Sequence, residues 1–73
     1  MEKLYEILKK IRPEVNYEKE KRLVDDGLLD SFDIVSIVSV LNDEFDIKID
    51  VTDIYPDNFN SADAIWRLIE KYQ

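Results

Sequence analysis

Cysteine and histidine are both absent from this 73-residue chain. Without cysteine there is neither a disulfide framework nor a thiolate metal site. Without histidine the imidazole general bases and the usual zinc sets are gone too, which leaves few candidates for catalysis by this chain alone. Glycine occurs once and proline twice, against 45% hydrophobic and 37% charged residues. That is the composition of a folded, mostly helical chain, not of a disordered one. Long apolar runs are missing as well. No stretch approaches the ~18 apolar residues of a membrane span, and none has the apolar segment of a signal peptide, so a cytoplasmic protein is expected. Basic residues are few outside the first third: residues 1–24 carry 7 Lys/Arg and 5 Asp/Glu, residues 25–73 carry 3 and 12, and the net charge is -7. An acidic surface repels phosphate backbones and anionic lipids and attracts basic protein patches, so nucleic-acid binding is disfavoured. At this length one small domain, residues 1–73, is expected, close to the lower size limit for a core without staples.

What is present reads as helices. Leu4, Ile7, Leu8 and Ile11 follow the i, i+3, i+4, i+7 spacing of one helical face, and Pro13 makes Arg12 a poor helical residue, so a first helix should end near Ile11 or Arg12. Residues 13–29 mix charge with scattered apolar groups and read as a long loop with a turn of helix near Tyr17 to Leu23. Its 17 residues exceed the usual connection length, which points to a functional or self-packed loop that Leu23, Leu28 and Leu29 would tie down. Asp30 before Ser31-Phe32-Asp33 has the form of an N-cap with an acid at N3, and a second helix should run from here to about Phe45. "DIKIDV" alternates like a strand but has no partner strand, so an extended linker is expected. One helical turn at Val51 to Tyr55, stopped by Pro56, should follow. Asn60 or Ser61 then caps a last helix, with Phe59 and Ala64 as a staple and Ala62, Ile65, Leu68, Ile69 and Tyr72 on one stripe. The fold class is all-α, a small bundle of three to four helices.

The second helix carries the functional question. At 100° per residue, Ile34, Val38, Leu41 and Phe45 fall within about 60° of one another with Ile37 beside them, a stripe expected to face the core. The opposite side holds Phe32, Ser36, Ser39 and Asp43 within about 60°, flanked by Val40 and Val35. An exposed ring among small polar groups suits a docking surface, although single exposed apolar residues are ordinary. Ser31 has two readings. It is a common residue at helix starts, yet Asp30 is already a good cap, and the free N–H groups of a helix N-terminus would stabilise a phosphodiester carried on the Ser31 hydroxyl. Gly27 lets the chain turn into the helix.

"DGLLDSFDIVSIVSVLNDEFDIKI" resembles the acyl carrier proteins and the related peptidyl and D-alanyl carriers, whose G-x-D-S-[LM] type motif begins the second of four helices. The resemblance runs from about Leu23 to Tyr72 and includes the "EFDIKI" exit and the final helix. It implies that Ser31 accepts 4'-phosphopantetheine from coenzyme A through a separate phosphopantetheinyl transferase, and that the arm's thiol holds acyl or aminoacyl cargo as a thioester for loading and downstream enzymes. The cofactor would then supply the sulfur this chain lacks. It also implies a non-catalytic carrier, expected to be a monomer, with Asp30, Phe32, Asp33, Ser36, Ser39, Val40 and Asp43 meeting partners. Fatty-acid carriers present several Glu on the outer face of this helix and a Leu after the serine. Here Ser36, Ser39, Asn42 and Phe32 stand in those places, and only Asp30, Asp33, Asp43 and Glu44 keep the acidity. The less acidic face is similar to carriers that serve amino-acid-activating enzymes.

Other constellations are weaker. Asp43, Asp46, Asp50, Asp53 and Asp57 match no calcium loop, so no metal site is expected. Asp30 and Asp33 have structural roles at the helix start, and Trp66 reads as a packing residue. The rival of different class is an unmodified acidic adaptor that docks a basic protein through the Phe32 face.

Overall fold

A computed structural model describes residues 1–73. The first helix, α1, spans Glu2–Ile11 and buries Leu4, Ile7 and Leu8, the face its spacing predicts. Arg12 leaves helical geometry ahead of Pro13, as a residue before proline does. Two carbonyls at this helix end, each already accepting from a backbone N–H, meet a further and unexpected donor. The Tyr17 hydroxyl lies 3.0 Å from both Leu8 O and Arg12 O, and the ring is fully buried.

Burial pushes the Tyr17 phenol up to about 12. Its neutral form is therefore favoured by folding, and the stability this gives is complete below the ordinary tyrosine range and lost as pH rises from about 10 towards about 12. Alkaline unfolding followed by circular dichroism should show a loss in that window. Tyr17→Phe, which cannot ionise, should be less stable at neutral pH by about 1 kcal/mol and lose that part of the alkaline dependence.

Helix α2 covers Ser31–Phe45, α3 covers Pro56–Phe59 and α4 covers Ala62–Tyr72, with a 3-10 turn at Val51–Asp53. α1 packs on α2 and α4, and α3 packs on α4. One core of 16 buried residues draws on all four helices and on the connections between them. The architecture is the expected all-helical bundle, measuring 27 × 24 × 19 Å. No helix is long and apolar enough to cross a membrane.

The rotation of α2 differs from expectation. Ile37 and Leu41 are completely buried, whereas Ile34, Val38 and Phe45 are only half-buried. The buried stripe is therefore centred on Ile37, which the wheel had placed at the edge. Asp33 is also buried, because α1 closes over the first turn of α2 and supplies a partner for its carboxylate.

The long connection from Pro13 to Leu29 holds isolated turns and no helix. It is self-packed: Val15, Tyr17, Leu23 and Leu29 are buried, and Leu28 is half-buried. Asn60 ties it across the bundle. Its side-chain oxygen accepts from the Val24 and Asp25 N–H groups at 3.0 and 3.1 Å, and its backbone oxygen accepts from Leu23 N at 2.9 Å.

Asp46 ends α2 in left-handed geometry at φ 53, and the 47–50 linker after it forms neither helix nor strand, with Ile47 and Ile49 buried and the Asn42 side chain accepting from Ile49 N. Pro56 does not stop a helical turn; it begins α3, since at a first helical position its missing N–H costs nothing. Ser61 is the cap of α4, its hydroxyl accepting from Ala64 N at 3.0 Å. Phe59 therefore lies one residue too early for a staple with Ala64 and is a fully buried core residue instead. Ala62, Ile65, Leu68 and Ile69 are buried as the stripe predicts, with Tyr72 half-buried at its end.

Candidate functional site

The start of α2 is held by a reciprocal pair. Asp30 caps it in extended geometry, its Oδ1 accepting from Asp33 N at 2.9 Å, while Asp33 Oδ2 accepts from Asp30 N at 3.0 Å. This is the capping box the sequence suggests. Gly27, upstream, sits at φ +76 with open space where a Cβ would lie. Its backbone conformation, not lack of room, is what calls for glycine here.

Asp30 does the capping, so Ser31 is left over. It is the first residue of α2, exposed, and its hydroxyl has no hydrogen-bond partner in the chain. The Ser31 and Phe32 N–H groups are also without acceptors, since the backbone and side-chain bonds at this end begin with those of Asp33 and Ile34. An exposed, unbonded hydroxyl thus stands beside two free amide donors at the positive end of a helix of 15 residues. That combination suits a phosphodiester, whose negative oxygens would find donors already oriented.

Two carboxylates flank the hydroxyl, and a cation from α1's end answers them. Arg12 Nε donates to Asp33 Oδ2 at 2.8 Å, Nη2 reaches Asp30 Oδ2 at 3.4 Å, and Nη1 reaches Glu14 Oε2 at 3.4 Å. Burial alone would raise the Asp33 carboxyl, but the N–H of Asp30 and the Arg12 guanidinium outweigh it and hold the group below the usual carboxylate range. The hydrogen bond to Asp33 raises Arg12 in turn. Asp33 is thus an ionised, inward-facing anchor, and the structure removes it from the outer face on which it was expected to meet partners.

The rest of the expected docking face is open. Phe32 is 85% exposed and Val35 67%, with Ser36, Ser39 and Asp43 exposed and Val40 half-buried beside them. Asp30 is exposed at the top of the same face. Arg12, Tyr17 and Asn60 were not expected to serve this end of the molecule. Arg12 pairs with Asp33 across 21 positions of sequence, and no local pattern marks such a pair.

A family model described as a phosphopantetheine attachment site matches residues 3–69. No curated protein and no solved structure matches. The match runs from α1 to the end of the α4 core stripe and supports the carrier over the adaptor. With four helices and a free hydroxyl at the start of the second, the chain belongs to the phosphopantetheine-binding family of acyl and peptidyl carrier proteins, which carry 4'-phosphopantetheine as a covalent cofactor.

Proposed function

We propose that Ser31 is the attachment residue and that the chain tethers acyl or aminoacyl groups for a set of separate enzymes. The observation that carries this is the Ser31 hydroxyl, exposed and unbonded at the start of α2 because Asp30 has taken the capping role. In the transfer, Ser31 Oγ forms a bond to the phosphopantetheine phosphorus of coenzyme A. The bond from that phosphorus to adenosine 3',5'-bisphosphate breaks, and the hydroxyl proton passes to a base on the phosphopantetheinyl transferase. When attached, the cofactor supplies a terminal thiol that holds cargo as a thioester. The chain itself contributes no catalytic group: it fixes the attachment point, and the free amides of Ser31 and Phe32 face the linkage.

Partners are met by the outer face of α2, through Asp30, Phe32, Ser36, Ser39, Val40 and Asp43, with Val35 added from its exposure. Two serines, two valines and an aromatic ring share this face with only two carboxylates, those of Asp30 and Asp43, and no glutamate. That favours loading by an amino-acid-activating enzyme over enzymes that grip several glutamates. Intact mass after exposure to coenzyme A and a broad-specificity transferase should increase by one phosphopantetheinyl group, mapped to the peptide that holds Ser31. No gain, or a gain mapped to Ser36 or Ser39, removes this reading. Adenylating enzymes and acyl-loading enzymes screened on the modified protein then separate the two cargo classes.

The docking role of Phe32 has its own consequence. An exposed ring loses little burial in the free protein but can anchor an interface. Phe32→Ala should therefore leave the melting temperature nearly unchanged and slow modification or loading about tenfold or more, the scale of an interface hot spot. Normal kinetics with an intact fold would place the partner contact elsewhere.

A further inference from the structure

The buried Leu29, whose N–H reaches Leu23 O at 2.9 Å, anchors the chain just ahead of the turn from which Ser31 projects. The reciprocal bonds between Asp30 and Asp33 bracket it, but both ends of that bracket belong to the same helix start. The side-chain link from α1's end to this bracket is Arg12, through Asp33 at 2.8 Å and Asp30 at 3.4 Å. Arg12 is itself held, because its carbonyl accepts from the buried Tyr17 hydroxyl. The far end of the same helix pair has a separate link, Lys3 to Glu44 at 3.1 Å, between two half-exposed side chains.

We infer that Arg12 is a positioning residue for phosphopantetheine transfer, bracing the first turn of α2 so that the Ser31 hydroxyl and the two free amides hold one orientation. It rests on the reading of Ser31 as the attachment residue. The guanidinium suits the task because its three nitrogens reach three different carboxylates, those of Asp33, Asp30 and Glu14, at once. A lysine would offer one charged nitrogen in place of that fork. A brace of this kind acts on the orientation of the reacting oxygen, so it should appear in kcat more than in KM.

The test measures transfer kinetics with coenzyme A and a phosphopantetheinyl transferase, using the complete chain and varying the chain's own concentration. Arg12→Gln should lower kcat about tenfold with KM changed less, and Arg12→Lys should recover part of the loss. Lys3→Gln makes the same change of charge on the same helix pair, away from Ser31, and should stay within about twofold of wild type. Hydrogen exchange should show the Asp33 N–H less protected in Arg12→Gln than in Lys3→Gln. A folded Arg12→Gln with wild-type kcat overturns the inference. So does a loss that Lys3→Gln shares, which would trace to general stability. Should Arg12→Gln not fold, Arg12→Lys carries the test, with about a threefold loss of kcat expected and wild-type kcat overturning it. Failure of the wild-type chain to be modified, or uptake by Ser31→Ala, instead defeats the assignment of Ser31.

Discussion

Ser31→Ala should take up no phosphopantetheine and keep all four helices. The two halves of this expectation have separate causes. Loss of uptake follows from removal of the oxygen that bonds the phosphorus. Of the other serines, Ser61 is buried as the cap of α4, with its hydroxyl engaged by Ala64 N. Ser36 and Ser39 lie inside α2, where their N–H groups belong to the helix ladder and offer an anion nothing. Retention of the fold follows because the cap is Asp30 and the second member of the box is Asp33, so nothing in the capping arrangement depends on the residue between them. Alanine is also a better helix former than serine. Intact mass after treatment with coenzyme A and a transferase, read beside far-ultraviolet circular dichroism, measures both halves. A mass gain in the variant would sink the assignment, and loss of helicity would show that Ser31 supports the fold.

Ile37→Ala and Leu41→Ala should each cost on the order of 2 to 5 kcal/mol, the usual range for emptying a fully buried site. Both side chains are completely inaccessible and sit on the helix that carries the site. A protein of this size has only about 5 to 15 kcal/mol of net stability in total, so either change threatens the folded state. Ile34→Ala should cost less than either, because Ile34 is only half-buried and loses less apolar contact. Denaturant unfolding of the three variants orders them. Equal losses at Ile34 and Ile37 would mean that α2 is rotated towards the simple wheel, with its stripe running through Ile34 and Val38. That rotation would also change which side chains flank Ser31 on the outer face.

The sequence by itself determined the three long helices and the capping at the start of α2. Those features are local. The spacing of Leu4, Ile7 and Leu8, the Asp30 and Asp33 capping pair and the Ala62 to Ile69 stripe depend on residues within two turns of each other, so the periodicity of the chain exposes them. The surplus serine beside a better cap is legible for the same reason.

Tertiary structure decided the rest, through contacts between residues far apart in the chain. The rotation of α2 is set by how α1 packs on it, because periodicity defines the width of an apolar face but not which part lies deepest when valines and isoleucines occur all around the helix. Asp33 turned inward because Arg12, 21 residues away, meets it. An ionised carboxylate is buried only where such a partner is supplied. The long loop found its anchors in the same way, through Tyr17 on the carbonyls that end α1 and Asn60 on the backbone of Val24 and Asp25. A polar side chain's partner across 9 or 36 positions leaves no periodic trace, and it exists only once the helices have come together.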